Sequence, residues 1–276
     1  MKLRDLMFVL PNLFTVSSIF FGFLAMTLCA GDASPAQLYQ AALAIFFGIF
    51  FDGFDGRVAR LTRTQSLFGQ ELDSLADMVT FGAAPALLVW KWALGGLGLV
   101  GVAAAFLFAA CGALRLARFN VLAIRSPHGG ASTFFVGMPI PFAAAGVISV
   151  IIAFQNAHGG ELPDSWRWPV LGFVVFLALL MVSTVRYRTF KDVRPSPRMY
   201  LFLAGVVVLG VLVATQIHPA YVLVAYFALY LVSGLGESAI LLRRYLLNRK
   251  ASSLADVVDE DEDPSDKDDV DDQEVL

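Results

Sequence analysis

The sequence predicts an all-α polytopic membrane protein with about eight transmembrane helices. Of its 276 residues, 58% are hydrophobic and 16% are charged, and the mean hydropathy is +0.70. In soluble domains about a quarter of the residues are charged. The apolar residues also fall into runs of about 20, the length that an α-helix needs to cross the hydrocarbon core of a bilayer. These observations exclude a water-soluble enzyme and a secreted disulfide scaffold.

Polar or turn-forming residues divide the chain into eight candidate spans. The weakest division lies between the third and fourth spans, where Trp90-Lys91-Trp92 precedes Gly95-Gly96. The first run is too long for the apolar core of a signal peptide and lacks a small-x-small cleavage site, so we interpret it as a retained helix. The predicted spans are residues 7–29, 37–57, 73–92, 95–120, 134–154, 168–185, 199–215 and 219–242.

The basic residues indicate which ends of these helices face the cytoplasm. Cytoplasmic loops are enriched in lysine and arginine. With the predicted spans, only Lys91 and Arg167 fall on one side of the membrane, and the other basic residues fall on the opposite side. An even number of helices then places both termini in the cytoplasm. We expect an integral, multi-pass protein of a bacterial inner (plasma) membrane.

The net charge of -3 averages two very different regions. Residues 251–276 contain twelve acidic residues and one lysine, which leaves the first 250 residues with a net charge of +8. A segment so rich in like charge and poor in aromatics cannot bury enough apolar surface to fold. We therefore expect a transmembrane domain over residues 1–250 and a disordered acidic cytoplasmic tail over residues 251–276.

Four aspartates mark the expected active site, at the cytoplasmic ends of the second and third helices. Asp52 and Asp55 are three residues apart and Asp73 and Asp77 are four apart, so each pair shares one helical face. A short loop between antiparallel helices would bring all four carboxylates together. Carboxylates at the edge of the hydrocarbon core are costly unless they pair or bind a cation. Oxygen ligands without His or Cys favour a hard cation such as Mg²⁺ or Mn²⁺.

The residues between these aspartates indicate what the metal could hold. Gly56 and Ala59 leave space along the face of the first pair. Arg60 follows one turn after Gly56, and Ser66 lies in the loop. Metal-binding carboxylates, an arginine and a hydroxyl around small residues suit a pyrophosphate-linked nucleotide. The alternative is a purely structural hairpin, in which the aspartates cap helices and pair with the neighbouring arginines.

Residues 52–77 follow the spacing D-x-x-D-G-x-x-A-R-x8-G-x3-D-x3-D, which has eight fixed positions. This pattern resembles the signature of the CDP-alcohol phosphotransferases and departs from it at none of those positions. Four further stretches are similar to the phosphatidylserine synthase branch of that family, the integral-membrane CDP-diacylglycerol:serine O-phosphatidyltransferases. They are Pro11–Thr15, Ser74–Pro85, Leu114–Asn120 and Gly137–Pro141. The resemblance covers most of the first 145 residues, and the second half carries no usable motif.

The resemblance implies an enzyme that transfers the phosphatidyl group from CDP-diacylglycerol to the hydroxyl of L-serine, giving phosphatidylserine and CMP. It implies that Asp52, Asp55 and Asp73 bind two divalent metal ions. Asp77 would contact the same metal site and act as the general base on the incoming hydroxyl. The residues expected to bind CDP-diacylglycerol are Asn12, Thr15, Gly56, Ala59, Arg60, Ser66 and Gly69.

The carboxylate of the acceptor serine calls for an arginine, because a guanidinium binds a carboxylate through two parallel hydrogen bonds. Arg115 and Arg118, near the cytoplasmic end of the fourth helix, are our candidates, with Asn120 beside them. The alternative is that these arginines anchor the helix end among lipid phosphates.

Two other functions stay open from sequence alone. Another member of the same family would use glycerol phosphate or inositol phosphate, whose phosphate dianion calls for a denser basic pocket. A transporter could use the acidic residues as an ion path, although transport sites usually lie near the bilayer midplane. The expected partners are CDP-diacylglycerol, L-serine and membrane lipids, and no nucleic acid. Glu237, which follows Gly234 and Gly236, is a candidate for a homodimer contact or for pairing with a basic loop.

Overall fold

The computed structural model describes residues 3–62, 64, 66–125, 134–159, 162–184, 186–188, 221–232, 234 and 236. In chain order its elements are helices α1 (Leu3–Leu28), α2 (Pro35–Thr62), α3 (Leu67–Asp77), α4 (Ala84–Val89) and α5 (Leu99–Arg125), strand β1 (Phe134–Val136), helices α6 (Ile140–His158) and α7 (Arg167–Val182), strand β2 (Arg186–Arg188) and helix α8 (Tyr221–Val232). A π-helical turn at Met78–Ala83 joins α3 to α4. A second π-helical turn at Trp90–Leu94 and a 3₁₀ turn at Gly95–Leu97 extend the same helical span.

Among the described residues, five helical segments are long and apolar enough to cross a membrane. They are Leu10–Leu28, Leu67–Leu97, Leu99–Leu122, Ile140–His158 and Asp164–Val182. Apart from the short β1–β2 ribbon, every regular element in the described part of the chain is helical. The predicted class, a helical integral membrane protein, is therefore confirmed in this coarser form.

The predicted number of eight spans is only partly tested. Five of the predicted spans correspond to the five segments above. The predicted span 37–57 forms the 28-residue helix α2, which is not one of the five. The predicted span 199–215 lies outside the described residues, and 219–242 is described only in part. The acidic segment 251–276 and Glu237 also lie outside the described residues.

The predicted start of one span, at residue 134, is wrong. Residues 134–136 form β1, which pairs antiparallel with β2. Gly137 follows with φ of +82°, a left-handed conformation that favours glycine, and a Cβ there would lie 2.3 Å from the carbonyl oxygen of Met181. Helix α6 begins only at Ile140, with Pro141 in its first turn, where a missing N–H is tolerated.

Phenylalanine rings pack α1 against α2. The ring of Phe21 lies 5.3 Å from that of Phe51 and 5.8 Å from that of Phe47, measured between centroids. Aromatic pairs at these distances contribute beyond the apolar area they bury. Phe20 and Phe23, also on α1, are 58% and 59% exposed, as expected for side chains that face lipid rather than water.

Helix α1, helix α2 and the π-helical turn that follows α3 meet at Thr80. The buried Thr80 hydroxyl donates a hydrogen bond of 2.9 Å to the carbonyl oxygen of Ser18. A Cβ at Gly22 would lie 2.7 Å from Thr80 Cα, and one at Gly48 would lie 2.5 Å from Thr80 Cγ2. Both glycines are therefore needed for this close approach. We call these four residues the Thr80 junction; it ties the helix that carries the last two aspartates to α1 and α2.

Candidate active site

Three of the four predicted aspartates meet at one point. One carboxylate oxygen from each of Asp52, Asp55 and Asp73 lies within 4.8 Å of the other two. Asp55 is buried, and Asp52 and Asp73 are half-buried. Residues 63–66 separate α2 from α3, so a short connection brings these side chains of two different helices together, as the spacing predicted.

The fourth aspartate, Asp77, lies one turn beyond Asp73 and belongs to the same cluster. Its carboxyl group lies close enough to that of Asp52 for the two groups to interact directly. The carboxyl groups of Asp55 and Asp73 make a similar contact. Carboxylates this close repel each other unless a proton or a cation lies between them. The four aspartates therefore form a single site.

One buried oxygen of this aspartate cluster lacks a donor among the described residues. Asp52 Oδ1 is buried and accepts no hydrogen bond from the part of the chain that the structure describes. A buried carboxylate oxygen in this state is costly, and a cation bound within the cluster would satisfy it. The cluster offers only carboxylate oxygens, which are the ligands that Mg²⁺ and Mn²⁺ prefer. The residues present therefore fit a divalent cation.

Asp55 is held by two protein donors. The Thr15 hydroxyl on α1 donates a hydrogen bond of 2.7 Å to Asp55 Oδ2. The backbone N–H of Gly56 donates to Asp55 Oδ1. Thr15 and Asp55 are only 3% and 6% exposed, so the hydrogen bond between them links α1 to the aspartate cluster in a buried setting.

Asn12, Ser66 and Gly69 are neighbours at the beginning of α3. Ser66 is the N-cap of that helix, and its hydroxyl accepts a hydrogen bond of 3.0 Å from the Gly69 N–H. A Cβ at Gly69 would lie 3.2 Å from Ser66 Oγ and 3.7 Å from Asn12 Oδ1. Ser66 thus has a structural role in starting the helix that carries two of the aspartates, which the sequence pattern did not reveal.

Gly56, Ala59 and Arg60 follow Asp55 on α2. Arg60 is exposed, and its guanidinium lies within electrostatic range of Asp55. A Cβ at Gly56 would lie 3.8 Å from Arg60 Nη1, and Ala59 is half-buried. Two small residues, Gly56 and Ala59, therefore border the carboxylates, and the positively charged side chain of Arg60 lies beside them.

The three residues expected to bind serine have different surroundings. Arg115 on α5 is half-buried and interacts electrostatically with Asp77. Arg118 is exposed. Asn120 Nδ2 donates a hydrogen bond of 3.0 Å to the hydroxyl of Ser74 on α3. Arg115 therefore approaches the aspartate cluster, and Asn120 links α5 to α3.

Sequence reasoning missed two features beside the cluster. The first is the Thr80 junction, whose only signal was the position of Thr80 inside the matching stretch Ser74–Pro85. The second is Tyr230 of α8, which lies within electrostatic range of Arg115 and stacks on Phe142 with ring centroids 3.9 Å apart. Tyr230 belongs to the half of the chain without a motif, so no local pattern pointed to it.

Known proteins resemble this chain along most of its length. Residues 8–231 match the sequence model described as CDP-alcohol phosphatidyltransferase. A curated protein of Helicobacter pylori (strain J99 / ATCC 700824) is 36% identical over 247 residues, which cover 90% of this chain and 98% of that protein. A Bacillus subtilis (strain 168) protein is 36% identical over 184 residues, which cover 66% of this chain and 91% of that protein. A Methanocaldococcus jannaschii protein is 32% identical over 195 residues, which cover 71% of this chain and 84% of that protein. All three relatives carry the name CDP-diacylglycerol--serine O-phosphatidyltransferase.

Proposed function

The chain belongs to the CDP-alcohol phosphatidyltransferase family, and from this premise we propose its reaction and the role of each residue in the site. It transfers the phosphatidyl group from CDP-diacylglycerol to the hydroxyl of L-serine, giving phosphatidylserine and CMP. The observation that carries this function is the cluster of Asp52, Asp55 and Asp73, with Asp77 beside it, inside the matched region. Because the chain belongs to a transferase family, we prefer this enzymatic function to the alternative of a transporter.

The aspartates divide metal binding and proton transfer between them. Asp52, Asp55 and Asp73 hold two divalent ions, Mg²⁺ or Mn²⁺, and Asp77 contacts the same metal site. When bound, such ions neutralise a pyrophosphate and stabilise a departing phosphate group. Asp52 Oδ1, which accepts no hydrogen bond from the described residues, supports this assignment.

Asp77 also acts as the general base. It accepts the proton of the serine hydroxyl as the serine oxygen attacks the phosphorus that carries diacylglycerol. A bond forms between that oxygen and the phosphorus, the bond from the phosphorus to CMP breaks, and CMP departs. An alcohol is a poor nucleophile at neutral pH, so a carboxylate within hydrogen-bonding reach raises the rate. The place of Asp77 beside both Asp52 and Arg115 supports this role.

The nucleotide lies over the small residues next to the cluster. Arg60 supplies an exposed guanidinium for phosphate oxygens, which bind guanidinium groups well. Gly56 and Gly69 allow close approach because they lack side chains. The set that we assign to CDP-diacylglycerol is Asn12, Gly56, Ala59, Arg60, Ser66 and Gly69; Thr15 is set apart from them, because its hydroxyl contacts Asp55.

The membrane topology follows from the charge distribution. We propose eight spanning helices over residues 1–250, an acidic tail over residues 251–276, both termini in the cytoplasm and the site at the cytoplasmic ends of the second and third spanning helices. The acyl chains of the donor stay in the bilayer while its CDP group reaches the site. We propose that the protein lies in a bacterial inner membrane. We also propose that it forms a homodimer through the segment around Glu237.

A panel of acceptors tests the function. Purified enzyme with CDP-diacylglycerol and Mg²⁺ or Mn²⁺ should release CMP when L-serine is added, and radiolabelled serine should appear in phosphatidylserine. The control reactions offer glycerol phosphate or inositol phosphate in place of serine and should release little CMP. Rapid CMP release with either phosphate acceptor, but not with serine, would overturn the choice of acceptor.

The arginines on α5 provide a separate prediction. We assign Arg115, Arg118 and Asn120 to the serine side of the site, with Arg115 as the principal partner of the serine carboxylate, because it approaches Asp77. Replacing Arg115 with lysine should raise the KM for serine by about tenfold or more, since an ammonium cannot form the two parallel hydrogen bonds. The KM for CDP-diacylglycerol should change far less.

The matched control is Arg118→Lys, at an exposed position of the same helix. We expect a smaller rise in the KM for serine in this variant. Equal increases in the KM values for both substrates in Arg115→Lys would contradict the assignment, because they would indicate a general disturbance of the site.

A further inference from the structure

The Thr15 hydroxyl points at a carboxylate of the proposed metal site. Its Oγ1 lies 2.7 Å from Asp55 Oδ2 and 3.3 Å from the carbonyl oxygen of Pro11. A hydroxyl has only one proton to donate. A carboxylate at the shorter distance is the stronger acceptor, because hydrogen bonds to charged oxygens are shorter and stronger than neutral ones. The proton of Thr15 is therefore directed to Asp55.

Asp55 is consequently held at both oxygens. Thr15 donates to Oδ2 and the Gly56 N–H donates to Oδ1, whereas Asp52 Oδ1 has no donor among the described residues. Two donors on opposite oxygens fix the rotation of the Asp55 carboxylate. Each oxygen still has a lone pair that can bind a cation.

A second buried contact holds α1 beside the helices that carry the aspartates. Ser18 lies one turn after Thr15 on α1 and accepts the hydrogen bond from Thr80. Thr80 in turn follows α3, the helix that carries Asp73 and Asp77. Thr15 and the Thr80 junction therefore tie α1 to both helices that contribute carboxylates.

We propose that Thr15 is a positioning residue that orients Asp55 and thereby sets the affinity of the site for a divalent cation. This inference rests on the proposed function, because it takes Asp55 to be a metal ligand. It changes the role that the resemblance implied for Thr15, which was to line the nucleotide pocket. A hydroxyl that donates its proton to Asp55 has only lone pairs left, and lone pairs do not attract phosphate oxygens.

Direct Mn²⁺ binding to the purified full-length protein in detergent, without either substrate, tests the inference. Thr15→Val keeps the shape of the side chain and removes the donor. We expect its Kd for Mn²⁺, measured from the electron paramagnetic resonance signal of free Mn²⁺, to rise about 10- to 100-fold, the usual effect of losing a hydrogen-bond partner of a metal ligand. Thr15→Ser restores the hydroxyl and should bind Mn²⁺ nearly as tightly as wild type.

Thr27→Val is the matched control on the same helix. The Thr27 hydroxyl donates to the carbonyl oxygen of Leu24 and is exposed, so its loss should leave the Kd for Mn²⁺ unchanged. If Thr15→Val does not fold, Thr15→Ala removes the same donor without adding volume and should show the same rise. At saturating Mn²⁺, the KM for CDP-diacylglycerol of either donor-free variant should match that of wild type.

The outcomes separate this inference from the proposed function. An unchanged Mn²⁺ affinity in the donor-free variants, with a raised KM for CDP-diacylglycerol at saturating Mn²⁺, would overturn the inference and return Thr15 to the nucleotide pocket. Failure of the wild-type protein to bind Mn²⁺ at all would instead overturn the proposed metal site.

Discussion

Replacing Asp77 with asparagine should lower kcat by about 10²- to 10⁴-fold, the range that a general base contributes. The amide keeps the size of the side chain but cannot accept the proton of the serine hydroxyl. CDP-diacylglycerol binding should stay close to that of wild type, because Asp52, Asp55 and Asp73 still provide the three clustered oxygens. The measurements are CMP release with serine and equilibrium binding of CDP-diacylglycerol in the presence of Mn²⁺.

Glu71→Gln is the control for Asp77→Asn. Glu71 lies on the same helix, six residues earlier, and its side chain is exposed. Neutralising it should leave kcat near the wild-type value. If Asp77→Asn lost donor binding as completely as it lost turnover, Asp77 would be chiefly a metal ligand and another group would have to serve as the base.

Replacing Gly22 with alanine should both destabilise the protein and reduce its activity. The new Cβ would lie 2.7 Å from Thr80 Cα, a backbone atom that cannot move away as the end of a side chain can. Overpacking of this kind costs about 1–3 kcal/mol. Thr80 follows Asp77 by three residues, so a shift at the Thr80 junction displaces the proposed base. A displacement of about 1 Å can lower a rate by as much as 10²-fold.

The matched control for Gly22→Ala is Gly172→Ala on α7. A Cβ at Gly172 would meet no atom of the other described residues within 4 Å, so this variant should be as stable as wild type or slightly more stable, because alanine favours the helix. Thermal unfolding in detergent and CMP release measure the two effects. Wild-type stability and activity in Gly22→Ala would show that α1 and the π-helical turn at Met78–Ala83 are not packed as closely as this contact requires.

Much of the active site could be predicted from the sequence because its residues are close together along the chain. Helical spacing places Asp52 with Asp55 and Asp73 with Asp77, and a short loop joins the two helices. The small residues and the arginine between them belong to the same 26-residue pattern. Contacts within one hairpin need no knowledge of the rest of the fold.

The predictions were weaker for residues whose contacts in the fold lie far away in sequence. Arg115 and Arg118 are indistinguishable as charges on one helix, and only their burial and the position of Asp77 separate them. Asn120 was expected at the substrate, yet its hydrogen bond to Ser74 is visible only once α5 packs on α3. Tyr230 reaches the neighbourhood of Arg115 from a helix without any motif.

The sequence by itself determined that this is a helical membrane protein with a carboxylate site on one helical hairpin, because hydropathy and helical periodicity act over short distances. The tertiary structure decided how that hairpin is held. Gly22 and Gly48 could be read as ordinary helix glycines until Thr80 was found between them. Thr15 could be assigned to a nucleotide until its hydroxyl was found on Asp55, 40 residues away. Such contacts depend on how helices distant in sequence pack together, and local sequence patterns do not predict that packing.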